Sequence, residues 1–184
     1  METYGWLIDE KKCIECRACE AACKQWNNVE IGVGVRRRQV RVTESGAFPA
    51  VKQQALTGGC NHCDNAYCMK VCPVKAISRR SADGTVQIDQ TKCVGCQQCA
   101  AFCPYSAPQF NTRTKRMDKC TMCTDRTDAG LRPACASLCP TGALQWGKWS
   151  EISGQGSSST DNFANPQQTL PRIRFIKDAF PVVG

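Results

Sequence analysis

Sixteen cysteines dominate this chain, and they fall in four groups of four. The first group is Cys13, Cys16, Cys19 and Cys23, and the second is Cys60, Cys63, Cys68 and Cys72. The third is Cys93, Cys96, Cys99 and Cys103, and the fourth is Cys120, Cys123, Cys135 and Cys139. Whatever these thiols bind must organise the fold, because little else can. Aromatic residues make up only 7% of the 184 residues, so the hydrophobic core is thin.

Three chemistries compete for the thiols. Disulfides suit short secreted scaffolds. The opening stretch, with Tyr4 to Ile8 as its only apolar run before Asp9, is too short for the apolar segment of a secretory signal. Three cysteines packed as C-x2-C-x2-C are also awkward to pair with one another. Zinc is a real competitor for the fourth group, whose C-x2-C-x11-C-x3-C spacing resembles a zinc ribbon. The first and third groups decide for iron–sulfur. Each reads C-x2-C-x2-C-x3-C, a compact triplet that wraps three corners of a cube, with a fourth cysteine beyond it. In bacterial two-cluster ferredoxins the fourth cysteine reaches across to the other cluster, and proline follows it. Pro73, Pro104 and Pro140 follow Cys72, Cys103 and Cys139, whereas Lys24 follows Cys23.

Internal repetition organises the rest. Ile8-Asp9-x3-Cys13 recurs as Ile88-Asp89-x3-Cys93, and Cys72-Pro73 through Ile77 matches Cys139-Pro140 through Leu144. Each half-motif reads as strand, ligand loop, short helix, turn and strand. Strands are expected at residues 4–9 and 84–89 and after each Cys-Pro turn, with helices in Arg17–Trp26 and Gln97–Phe102. The fold class expected is α+β, with tandem two-cluster ferredoxin-like modules of pseudo-twofold symmetry, long loops and an extended C-terminal tail. Residues 55–109 would form an inner module, and residues 1–30 with 110–152 an outer one. Residues 31–54 would connect them, with a strand pair between residues 35–42 and 48–55. Residues 153–184 would be a flexible, Gly- and Ser-rich linker and a docking tail. The strip 170–177 could equally strap onto a partner or fold back on its own domain.

Exchange of the fourth ligand then predicts four sets. Set A is Cys13, Cys16, Cys19 and Cys139, and set B is Cys120, Cys123, Cys135 and Cys23. Set C is Cys93, Cys96, Cys99 and Cys72, and set D is Cys60, Cys63, Cys68 and Cys103. Four [4Fe–4S] clusters use all sixteen thiolates as iron ligands. Their binding should supply much of the folding free energy.

The formal charge of +8 would suggest nucleic acid if read alone. It counts every thiol as neutral, and loaded cubanes add about −8, which brings the protein near zero. Arg36–Arg38 is the one dense basic run and reads as a solvated or partner-facing strand, without a helical basic face or aromatic platform for nucleic acid. His62, the single histidine, is expected to pack or hydrogen-bond beside a cluster rather than ligate it. No Walker loop, nucleophile elbow or HExxH is present, so no catalytic residue is assigned. No apolar stretch reaches the length of a membrane span.

Several of these stretches carry a family resemblance. They are the four-group pattern, the Cys60-Asn61-His62-Cys63 loop, Cys103-Pro104-Tyr105-Ser106-Ala107-Pro108-Gln109, Lys119-Cys120, and Arg132-Pro133-Ala134-Cys135. Together they resemble the iron–sulfur beta subunit of the dimethyl sulfoxide reductase family of molybdenum/tungsten-pterin oxidoreductases, over about residues 3–150. The resemblance implies a non-catalytic electron-transfer subunit. Its partners would be a large molybdenum- or tungsten-pterin catalytic subunit and, in many relatives, a membrane quinone-binding subunit. It also implies clusters running in the order A, B, C, D from the catalytic side. The location implied is the cytoplasm or the membrane periphery, with export on a partner's twin-arginine signal a further route. A freestanding polyferredoxin, or the polyferredoxin of a tungsten aldehyde oxidoreductase or hydrogenase-linked complex, is the alternative.

Overall fold

The computed structural model describes residues 2–31 and 34–177, a small mixed α/β chain. Met1, two residues of the connecting segment and the end of the expected tail, residues 178–184, lie outside the described residues. The first strand, β1 (Tyr4–Asp9), is an almost continuous apolar run, and five of its six residues are buried. It is central in a three-stranded sheet, with a partner strand on each edge. Asp9 ends it by accepting a hydrogen bond from the Lys11 backbone N–H, which starts a 3-10 turn, Glu10–Lys12. Helix α1 (Ala18–Trp26) follows within the first cysteine group.

Next comes a hairpin of β2 (Arg38–Ser45) and β3 (Lys52–Gly59), antiparallel over eight residue pairs. The pair expected at 35–42 and 48–55 therefore forms three to four residues later. Gly58 and Gly59 disfavour a strand by propensity, yet tertiary packing places them in one. Gly59 pairs with Arg38, and a Cβ there would stand 3.2 Å from the Arg38 guanidinium carbon and 2.9 Å from the Arg37 carbonyl oxygen. Strand β3 runs directly into Cys60.

The middle of the chain carries α2 (Tyr67–Lys70), β4 (Ile77–Arg79), β5 (Val86–Ile88), α3 (Gln98–Ala101), β6 (Gln109–Asn111) and β7 (Arg116–Asp118). The last third carries α4 (Thr124–Asp128), α5 (Ala134–Ser137), β8 (Leu144–Lys148), α6 (Trp149–Ile152), α7 (Pro166–Thr169) and β9 (Ile173–Ile176).

Strand pairing joins distant cysteine groups in a repeated way. Strand β1 pairs antiparallel with β8, with Ile8 opposite Leu144. Strand β5 pairs antiparallel with β4, with Ile88 opposite Ile77. The same extra bond flanks each pair: Asp9 N–H donates to the Ala143 carbonyl at 2.8 Å, and Asp89 N–H to that of Ala76 at 2.7 Å. The strand leading into group one thus joins the strand leaving group four, and group three joins group two.

The strip at 170–177 folds back. Strand β9 lies parallel to β1, with Trp6 opposite Ile173 and Ile8 opposite Phe175. Ile173 and Phe175 are buried, and each such burial stabilises by about 1.5–3 kcal/mol. Phe163, within the stretch expected to be a linker, packs its ring 4.9 Å from Phe175 and 4.8 Å from Tyr105. Composition alone misses such anchors, since one aromatic among serines and glycines is enough to pin a segment.

Candidate functional site

All sixteen cysteines are unpaired. The first C-x2-C turn of each of the four groups shares one backbone device. The residue before the second cysteine has positive φ in each: Glu15 (58°), His62 (45°), Gly95 (71°) and Met122 (60°). The left-handed residue reverses the chain so that two thiols separated by two residues face the same side. Arg17 (56°) and Gln97 (63°) do the same just before α1 and α3, turning the third cysteine of each triplet inward. A left-handed conformation costs a non-glycine residue about 1–2 kcal/mol. Five side chains bear that cost at these turns.

The thiols gather around hollows. Cys13, Cys16, Cys19 and Cys139 line one, with Val40, Thr57 and Leu144. Cys60, Cys63, Cys68 and Cys103 line a second, with His62, Tyr105 and Lys119. Cys72, Cys93, Cys96 and Cys99 line a third, with Ile77, Ile88 and Met117. Cys23 meets Cys120, Cys123 and Cys135 beside the contact between α1 and α5: burial first, then these three thiols, push the Cys23 thiol far up.

Hydrogen-bond donors point at the sulfurs. Backbone N–H groups of Ala76, Met117, Met122 and Leu144 donate to Cys72, Cys93, Cys120 and Cys139, at 3.2–3.4 Å. The Asn27 side-chain amide bridges Cys23 and Cys123, at 3.8 and 3.6 Å. The Thr57 hydroxyl sits 3.5 Å from the Cys19 sulfur. Spacing rules cannot find Asn27 or Thr57, which act on sulfurs from other parts of the chain.

Burial pushes the thiols up, to about 12 for Cys63, Cys68 and Cys120 and about 11 for Cys99. Without metal these thiols stay protonated at neutral pH. Cys139 differs: burial acts to raise it, but the N–H of Leu144, the Thr141 hydroxyl and further backbone donors outweigh burial and hold it below the usual thiol value. Arg38 opposes the rise at Cys120 and Cys135.

The thiols fall into two apolar clusters. Cys19, Cys23, Cys60, Cys120 and Cys135 are buried in one, with Cys13, Cys103 and Cys139 packed against it. Cys99 is buried in the other, with Cys63, Cys68, Cys72 and Cys93 packed against it. The second cysteine group thus has members in both clusters, and Cys60 and Cys103 lie with the first and fourth groups, whereas the order A, B, C, D implied by the resemblance would put the third group next to them. The cause is the path of β3, which delivers Cys60 to the same apolar cluster as Cys19, Cys120 and Cys135, while Cys93 and Cys99 sit in a second cluster with Ile77 and Val86.

His62 is fully buried. Its Nδ1 accepts the Val86 N–H at 3.0 Å, and its Nε2 has no partner. Burial first, and then Lys119, Arg172 and other cations, hold the imidazole well below its usual value, so it is neutral. Of the Arg36–Arg38 run, Arg36 faces outward, Arg37 pairs with Asp118 at 2.9 Å, and Arg38 is buried.

Among the described residues, no three His, Cys, Asp or Glu side chains are placed to hold a single metal ion. A cubane instead hangs each thiolate on its own iron and needs four sulfurs around a space. Four soft thiols around each of three hollows, and a further four at Cys23, Cys120, Cys123 and Cys135, with N–H donors on the sulfurs of Cys23, Cys72, Cys93, Cys120, Cys123 and Cys139, fit that group. Among the described residues, no helix is long and apolar enough to cross a membrane.

Comparison with known proteins agrees with this chemistry. Residues 51–149 match the 4Fe-4S dicluster domain family. The chain is 43% identical over 149 residues to the thiosulfate reductase electron transfer subunit PhsB of Salmonella typhi, covering 80% of this chain and 77% of that one. It is 43% identical over 145 residues to the protein NrfC of Escherichia coli (strain K12), covering 78% and 65%. It is 36% identical over 160 residues to the nitrate-inducible formate dehydrogenase iron-sulfur subunit of the same strain, covering 79% and 54%. The chain thus spans from about half to about three quarters of the length of these relatives. Sixteen cysteines are the full ligand complement for four [4Fe–4S] clusters. The chain belongs to the 4Fe-4S dicluster domain family, as an iron–sulfur electron-transfer subunit of the kind that serves the dimethyl sulfoxide reductase family of molybdenum/tungsten-pterin oxidoreductases.

Proposed function

We propose that the chain relays electrons through sets A, B, D and C, in that order, between a molybdenum- or tungsten-pterin catalytic subunit and a second redox partner, a membrane quinone-binding subunit or a soluble carrier. The observation that carries this reading is the packing of cysteines from all four groups into two apolar clusters, with the second group divided between them. When bound, each cluster supplies one-electron exchange. The protein's residues hold the ligands, exclude water and set the charge around the sulfurs.

The ligand sets proposed are those of the spacing rule. Cys13, Cys16, Cys19 and Cys139 hold the cluster of set A, and Cys120, Cys123, Cys135 and Cys23 that of set B. Cys93, Cys96, Cys99 and Cys72 hold that of set C, and Cys60, Cys63, Cys68 and Cys103 that of set D. The strand pairs β1–β8 and β4–β5 support two ferredoxin-like modules of pseudo-twofold symmetry, an outer one from the chain's two ends and an inner one from its middle.

The partner is tested by purifying the tagged chain anaerobically from cells that make it at native level. Molybdenum or tungsten near one atom per chain, carried by a larger co-purifying subunit, is expected. A cluster-loaded chain that purifies with neither metal would contradict the reading and favour a freestanding polyferredoxin.

A further inference from the structure

Arg38 is 2% exposed, and none of its three guanidinium nitrogens has a hydrogen-bond partner. Other buried cations are satisfied by the protein. Arg172 pairs with Asp64 at 2.6 Å, and Lys119 donates to the carbonyls of Val86 and Cys120. Among the described residues, no carboxylate forms an ion pair with Arg38. The Trp6 ring lies 4.3 Å from its Cζ and offsets part of the cost of burial. A desolvated cation with idle donors is among the least favourable groups a fold can carry. The site is nonetheless built for it: β3 presents Gly59 opposite Arg38, where a side chain would crowd the guanidinium.

The groups that face Arg38 explain the arrangement. They are the thiols of Cys135, Cys120, Cys19 and Cys23, which act on its charge and are buried in the same cluster as Trp6, the ring on which the guanidinium stacks. As neutral thiols these give a cation little. As ligands of oxidised clusters each belongs to a unit of net negative charge, which becomes more negative on reduction. Three of the four belong to set B and one to set A.

We propose that Arg38 is the internal counter-cation of the clusters at sets B and A, donating its N–H groups to cluster sulfur and raising the reduction potential of the set B cluster most. This rests on the four-cluster reading above. The sign follows from charge: a fixed cation stabilises the more negative, reduced form. Donors to sulfur act in the same direction.

The test uses the full cluster-loaded chain. Arg38→Met and Arg38→Lys are compared with wild type by iron content and by redox titration followed by electron paramagnetic resonance. Arg38→Met is expected to lower one potential by at least about 59 mV, a tenfold loss in the reduction constant of a one-electron couple. A second potential should fall less, with Arg38→Lys intermediate. Full iron with four unchanged potentials would overturn the proposal. Should Arg38→Met fail to fold, wild type decides. With arginine labelled with 15N in its guanidinium, pulsed spectra of the reduced clusters should show a nitrogen coupling that Arg38→Lys abolishes. No arginine coupling at any cluster would overturn the proposal. A wild-type chain that holds no iron would instead overturn the four-cluster reading itself, and this inference with it.

Discussion

Gly95→Ala should remove one cluster and leave three. Gly95 precedes the second cysteine of the third group, at φ +71°. The matching positions hold Glu15, His62 and Met122, so the left-handed turn by itself is tolerable with a side chain, at about 1–2 kcal/mol. What differs at Gly95 is its surroundings. A Cβ there would run into the Lys115 carbonyl oxygen and stand 3.1 Å from the Phe110 ring. The Lys115 carbonyl is backbone in the turn between β6 and β7, so it cannot swing aside as a side chain could. Moving that turn adds an overpacking cost of about 1–3 kcal/mol, for a total of about 2–5 kcal/mol. The strain falls on the loop between Cys93 and Cys96, so the cluster of set C should load poorly. Iron content should drop by about a quarter, with the other three clusters' signals retained. Glu15→Gly is the control and should keep all its iron. A Gly95→Ala protein with full iron and wild-type thermal stability would show that the close approach of Lys115 does not constrain the loop.

The swapped ligands can be tested at Cys139. Cys139→Ser should damage the same cluster as Cys16→Ser, and a match to Cys123→Ser in redox titration would break the exchange. Removing iron with a chelator under reducing conditions should abolish the cooperative thermal transition, as for other domains held by metal, and calorimetry would detect a surviving one. Loading should weaken in acid. The buried thiols lie above their usual values, so cluster binding must displace protons from them, and proton release costs more as pH falls. Iron uptake that does not change between neutral pH and about pH 6 would refute that.

Local features were legible in the sequence where chemistry repeats. The Ile-Asp-x3-Cys repeat marks β1 and β5 as strands entering ligand loops, and in both loops the Asp side chain caps the turn, Asp9 through Lys11 N–H and Asp89 through Thr91 N–H. Distant packing was not legible. The register of β2 with β3 depends on Gly59 fitting beside Arg38, against its propensity. The return of β9 depends on Ile173 and Phe175 finding space against β1, which no local pattern encodes. The Arg36–Arg38 run reads as solvated by composition, yet Arg38 is interior because β2 alternates its faces and Arg38 falls on the inward one with Val40. Which apolar cluster receives Cys60 is likewise a tertiary outcome that spacing does not contain.

The most direct test of the central claim is a redox titration of the anaerobically purified chain, followed by electron paramagnetic resonance, with iron, sulfide and zinc measured on the same sample. The four-cluster account predicts about sixteen irons and sixteen sulfides per chain and four separately reducible one-electron centres. About one zinc per cysteine group, with no reducible centre, would contradict it.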